Sequence, residues 1–169
     1  SSLGKWEQGA KSYKKFADEN KNGKDTDLAL RNAGIGYTKS RKAVKAKEVF
    51  ERLIDNYPKS SWLPSARHEL GYIYYREGSY EKAKNRFSKI PPKHELKPDA
   101  EYMRAWCSFK AGELGDAIRL FEDSRKLMKD YHQGHELIAL SHLYQGVAEY
   151  EAGEYDDSKK TLDEFIKDH

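Results

Sequence analysis

The chain has 169 residues, enough for one ordinary domain or one run of repeats. Its 31 Lys and Arg against 28 Asp and Glu leave a net charge of +3, too balanced to mark a nucleic-acid binder by charge alone. No apolar run approaches the roughly 18 residues of a membrane span, and 12 Tyr, 6 Phe and 3 Trp argue against disorder, because burying rings offsets chain entropy.

Caps and breakers predict helices throughout. A helix over 4–19 stands first, within a half-repeat or capping element at 1–21. After the Asn22-Gly23 break come four helix pairs, over 25–58, 61–91, 98–131 and 135–168. The first pair joins 25–40, capped by Asp25 or Thr26, to 43–57, which stops at Pro58. The second joins 62–77 to 80–90; Ser61 suits its cap, and Pro64 falls in the first turn, where a missing N–H costs nothing. Pro91-Pro92 ends that pair, and 91–98 is the longest predicted linker. The third joins 98–111 to 114–131, and the fourth 135–152 to 155–168. The expected fold is all-α, a solenoid of about nine antiparallel helices.

The pairs repeat one another. Small residues Gly34, Gly71, Ala105 and Gly146 anchor the first helices, at spacings of 37, 34 and 41. Twelve positions after each stand Ala46, Ala83, Ala117 and Ser158, and sixteen after stand Phe50, Phe87, Phe121 and Leu162. Seven after come Arg41, Gly78, Gly112 and Gly153, and nine after come Ala43, Tyr80, Leu114 and Tyr155. Two small residues facing each other let antiparallel helices approach closely. The large residue fills the space beside them, and the glycine suits the left-handed residue that ends a helix. One such hairpin cannot bury its own apolar faces, so neighbours must stack. The spacing of 41 implies a lengthened helix between the third and fourth anchors. At the N-terminus, Tyr13 and Phe16 align with Phe50 and Leu53, so 4–19 reads as a second helix without its first. That half unit either caps the array or continues from residues upstream.

These columns are similar to those of the tetratricopeptide repeat, over about 25–168 and the half unit before it. The most specific stretch runs from Asn56-Tyr57-Pro58-Lys59-Ser60 to Pro64-Ser65-Ala66, followed by Leu70-Gly71-Tyr72 and Gly78-Ser79-Tyr80-Glu81-Lys82-Ala83. It resembles the bacterial cell-envelope branch of the family, which includes the periplasmic coordinator of the Tol-Pal system and the repeat lipoprotein of the outer-membrane β-barrel assembly machine. Arg41 in place of the turn glycine departs from the pattern. The resemblance implies a non-catalytic scaffold that binds a peptide or helix of a protein partner. It implies a periplasmic or envelope location, with a cytoplasmic adaptor or chaperone as the alternative. A third alternative is a helical accessory domain of a larger enzyme, such as a cell-wall transglycosylase. Any lipid anchor or further domain would lie outside these residues.

In such a fold the first helices line a concave groove. Residues at three before, one after and four after each anchor share one helical stripe. They give Arg31, Ile35 and Thr38, then His68, Tyr72 and Tyr75, then Tyr102, Trp106 and Phe109, then Leu143, Val147 and Tyr150. Arg76 and Lys110 add positive charge beside the rings. Exposed rings there would make a peptide site; the competing reading packs them between repeats. Ile35 stands where a carboxylate-clamp asparagine is expected, which argues against that mode of binding.

No catalytic, cofactor or metal site is expected. His132 and His135 flank Gly134 at a helix start, without an evident third ligand even counting His142, and read as surface histidines. Cys107, the single cysteine, lies among Ala105, Trp106 and Phe109 and reads as a buried thiol. Lysines of the second helices, such as Lys42, Lys45, Lys47 and Lys84, interleave with acids as on a solvated face. Neither nucleic acid nor a membrane span is expected among the partners.

Overall fold

The computed structural model describes residues 2–130 and 135–168. The described residues form helices α1 (Ser2–Glu19), α2 (Thr26–Lys39), α3 (Ala43–Asn56), α4 (Leu63–Arg76), α5 (Tyr80–Ser88), α6 (Lys97–Lys110), α7 (Leu114–Asp130), α8 (His135–Glu151) and α9 (Tyr155–Asp168), with no strand among them. None of these helices is long and apolar enough to cross a membrane. The chain divides into two compact units, Ser1–Glu77 with α1 to α4 and Gly78–His169 with α5 to α9. The division falls inside the pair expected over 61–91.

Helix boundaries follow the breakers more closely than the caps. Pro64 and Pro98 sit in the first turns of α4 and α6, where no N–H partner is needed. The predicted side-chain caps do not form. Asp25 occupies the cap position of α2 without a side-chain bond, and the Thr26 hydroxyl instead donates to the carbonyls of Gly23 and Asn20. Trp62, not Ser61, stands before α4, because Ser60 Oγ closes a tight turn by accepting the Trp62 N–H at 3.1 Å. Helix α5 ends at Ser88, short of the expected 90, and α6 begins at Lys97 inside the expected linker. The long anchor spacing goes with two longer helices, α7 and α8 having 17 residues each against 14 in α3 and in α4.

Within the first unit, α2 and α3 meet at the small-residue columns. Gly34, Ala46 and Phe50 are all buried. A Cβ on Gly34 would stand 2.5 Å from Phe50 Cζ, so the ring occupies the space that any side chain would need. In the second unit Ala105, Ala117 and Phe121 are each 0% exposed. The α8–α9 pair uses Gly146 against Leu162, and Ser158 in the alanine column donates its hydroxyl to the Gly146 carbonyl at 2.8 Å.

The turns within pairs share one backbone form. Arg41 N–H bonds Thr38 O at 3.0 Å and Lys42 N–H bonds Tyr37 O at 2.8 Å. Gly112 and Glu113 bond Phe109 and Ser108 in the same way, and Gly153 and Glu154 bond Tyr150 and Glu149. This closing motif puts its middle residue in the left-handed region, at φ 78° for Gly112 and 82° for Gly153. Arg41 takes the same place at φ 60° despite its Cβ.

Helix α1 lies on α2 through Ala10 and Ala17, which are 1% and 0% exposed. Its end is tied to α3, where Arg52 bonds the Asp18 carboxylate at 2.5 Å and the Ala17 carbonyl at 3.0 Å. The bond from Lys14, and after it the one from Arg52, hold the Asp18 carboxyl below its usual range, against a smaller opposing loss of solvation. The counterparts of Phe50 and Leu53 on α1 are Tyr13 and Phe16. They are 46% and 44% exposed, and Leu3 and Trp6 lie exposed beside them.

A Gly34→Ala substitution should destabilise the chain by about 1–3 kcal/mol, since the Phe50 ring must shift bodily. Gly146→Ala should cost less, because the atoms it meets are the flexible end of Leu162. Urea midpoints of the two variants check the order.

Candidate functional site

In the first unit the predicted site residues fall on α2 and α4. The Arg31 guanidinium lies 4.9 Å over the Trp62 ring, and its Nε donates to Ser65 Oγ at 3.2 Å. A second nitrogen of Arg31 donates to Asn32 Oδ1 at 3.2 Å. Arg31 therefore couples α2 to α4 and holds one fixed position. Ile35 is half-buried on the same helix. His68 and Tyr72 meet edge to face at 5.0 Å, and with Tyr75 they are half-buried. Arg76 is exposed at the end of α4.

In the second unit the predicted residues form a ring cluster. Trp106 stands at its centre, edge to face with Tyr102 at 6.4 Å, Phe109 at 5.7 Å, Phe121 at 5.9 Å and Tyr144 at 4.4 Å. Lys110 Nζ lies 5.6 Å from the Trp106 ring, an arrangement that favours a cation. Tyr102 packs on Phe121 at 6.0 Å and is 8% exposed, so it belongs to the packing. Burial raises its hydroxyl above the ordinary tyrosine range. Trp106 and Phe109 are half-buried, as are Leu143 and Val147 on α8. Tyr150 is 60% exposed and meets Tyr155 of α9 at 5.3 Å.

Two participants fall outside the anchor columns. Tyr144 lies two positions before Gly146, and Trp62 precedes α4 altogether. An aromatic residue directly after the stripe residue Leu143 was the available signal for Tyr144. The packing face of α8 is polar as well: Ser141 Oγ lies 3.2 Å from Ser124 Oγ of α7, and Gln145 donates to the buried Glu149 at 2.9 Å.

Other sequence readings find their places. Cys107 is fully buried, and burial pushes its thiol up to about 12, which keeps it protonated and unreactive at neutral pH. His132, Gln133, Gly134 and the side chain of His135 lie outside the described residues. His142, expected at the surface, is 3% exposed, because its position on α8 turns it toward the Phe165 ring of α9 at 6.0 Å. Two second-helix lysines are structural partners rather than merely solvated. Lys47 holds both oxygens of Glu77 at 2.8 Å, and Lys84 joins Glu81 and Glu113.

Known proteins share this architecture. The sequence model of the tetratricopeptide repeat matches residues 28–60 and 141–169, on α2–α3 and α8–α9. No curated protein matches the chain. A MamA protein of known structure is similar with a TM-score of 0.79 at 17% identity, over 98% of this chain and 84% of that one. The MamA 41-end fragment from Desulfovibrio magneticus RS-1 has a TM-score of 0.68 at 13% identity, over 94% of each chain. The tetratricopeptide-like repeats of a kinesin light chain candidate from Podosopora anserina give 0.72 at 12% identity, over 97% of this chain and 87% of that one. The fold is thus the all-α solenoid of the tetratricopeptide type. The chain carries that repeat in its own sequence over the two matched stretches.

The ring cluster separates packing from exposed residues. Trp106→Ala should lower stability by about 2–4 kcal/mol, whereas Tyr150→Ala should stay within about 0.5 kcal/mol. Chemical denaturation followed by far-UV circular dichroism checks both.

Proposed function

We propose that this chain is a non-catalytic protein-interaction scaffold that holds a peptide or helix on the first-helix faces of its pairs. The carrying observation is Trp106, braced by Tyr102, Phe109, Phe121 and Tyr144 yet still partly open, with Lys110 over its face. Bound against four rings, such a side chain loses little conformational freedom when a partner arrives. A ring with a cation beside it suits a segment that mixes apolar and acidic residues. In the first unit His68, Tyr72 and Tyr75 supply half-buried ring surface of the same kind. The setting we propose is bacterial cell-envelope assembly or maintenance. It rests on the stretch from Asn56 to Ala66 and its resemblance to envelope repeat proteins.

A photo-cross-linking residue placed at Tyr75 or Phe109 in cells should capture a discrete protein. The same residue at Lys160, on a second helix, should capture none. Equal labelling from all three positions would reject the first-helix faces as the site. Fractionation of the cells should then place the captured complex in the envelope; recovery in the cytosol would reject the envelope setting alone.

A further inference from the structure

The turn between α2 and α3 holds a strained residue where glycine would serve. Arg41 sits at φ 60° in a turn whose counterparts carry Gly112 and Gly153, with the same two backbone bonds in each. A Cβ in that region is disfavoured, and such a residue persists where something compensates for it. The Arg41 side chain is exposed and lines a pocket of 200 Å³ with Thr38, Ala43, Ile73, Arg76 and Glu77. Arg76 is exposed as well, and its Nε reaches the Tyr72 carbonyl only at 3.4 Å. Among the described residues neither guanidinium has an ion pair, although 28 Asp and Glu are available in the chain. The one carboxylate in the pocket, Glu77, is neutralised by Lys47. Two unpaired forks therefore meet at one small pocket, over the buried side chain of Ile73.

Most neighbouring cations do not share that state; the exception among the described residues is Lys42, exposed beside Arg41 without an ion pair. Lys45 pairs with Glu7 at 3.8 Å, Lys47 pairs with Glu77, and Lys39 lies 4.0 Å from the Trp6 ring. The surplus is concentrated at this one turn, at Arg41, Lys42 and Arg76, which fits a point-like anion better than an extended charged surface. A guanidinium binds oxyanions through two parallel N–H bonds. A phosphate monoester carries a charge of about −1.5 to −2 with three acceptor oxygens, enough for both forks, whereas a carboxylate balances one.

We infer that Arg41 and Arg76 form a binding site for a phosphoryl group carried on a serine or threonine of a protein partner. The protein source rests on the scaffold reading; the anion chemistry does not. Phosphorylation of that partner would then switch its docking at this turn.

Titrations of the ¹⁵N-labelled chain test the site, with N-acetyl-O-phosphoserine amide, N-acetylglutamate amide and inorganic phosphate as probes. The phosphoserine probe should shift the Nε–H signals of Arg41 and Arg76 and saturate with a Kd of about 1 mM. The glutamate probe should bind at least about fivefold more weakly. Arg41→Gly should raise the urea midpoint, because glycine fits the turn, and yet weaken the phosphoserine probe about tenfold. Arg76→Gln should weaken it about tenfold at unchanged midpoint. Unchanged binding by a more stable Arg41→Gly variant would overturn the site. Inorganic phosphate binding as tightly as phosphoserine would overturn the partner-borne source. Arg41-dependent sedimentation with phosphatidylserine vesicles, without a phosphoserine response, would assign the forks to a membrane instead. Retained phosphoserine binding alongside failed cross-linking at Tyr75 and Phe109 would reject the ring faces and leave this site standing.

Discussion

The close approach of two helices at a small residue governs the rest of the architecture. At Gly34 the Phe50 ring takes the place of a side chain, so α2 and α3 can lie flush. Ala46 beside it is fully buried for the same reason. The constraint is geometric and local, which is why it recurs with the same spacing at Ala105, Ala117 and Phe121. Where the large residue is Leu162 rather than a ring, the small partner becomes Ser158. Its hydroxyl answers the Gly146 carbonyl instead of leaving a buried polar group alone. The column tolerates this exchange because volume and hydrogen bonding are both satisfied.

Helix positions were legible because their signals are local and repeated. Prolines at 58, 64, 91 and 98 and the turn glycines at 112 and 153 bracket the elements, and the anchor columns give their pairing. Caps were not legible. Ser61 looks like a cap by type, but the Ser60 turn places Trp62 there, and residue type does not tell which of two adjacent serines will turn its hydroxyl onto the backbone. The site was half legible. Spacing placed Trp106, Phe109 and Tyr150 on one stripe of their helices, yet spacing does not reveal which neighbour arrives beside them. Tyr144 reaches Trp106 from a position no column marks, and Tyr102 disappears against Phe121. His142 shows the same limit from the other side, since only the arrival of Phe165 explains its burial.

Rings in this chain divide between filling and display according to how many neighbours reach them. Phe50, Phe87 and Phe121 are fully buried, while Trp106 is surrounded edge-on and left partly open. Edge-to-face contacts of this kind fix orientation without covering a whole ring. The same residue can then stabilise its unit and present a face, so stability and recognition are coupled at Trp106 and uncoupled at Tyr150.

Helix α1 shows that column identity does not by itself bury a side chain. Tyr13 and Phe16 hold the positions that Phe50 and Leu53 hold on α3, yet each is nearly half exposed while Phe50 and Leu53 are fully covered. The difference lies in the neighbours. Phe50 and Leu53 belong to a helix flanked by α2 and α4, whereas α1 gives its small face, Ala10 and Ala17, to α2 and has no described helix on its other side. A half-exposed ring forgoes roughly 1 kcal/mol of burial. Helix α1 is instead retained by bonds at its end, from Arg52 to Asp18 and to the Ala17 carbonyl, and from the Tyr57 hydroxyl to the Lys21 carbonyl at 2.5 Å. In a chain built from repeats, stability at each position is therefore a property of adjacent pairs. The same sequence letter contributes packing in one pair and open apolar surface in another.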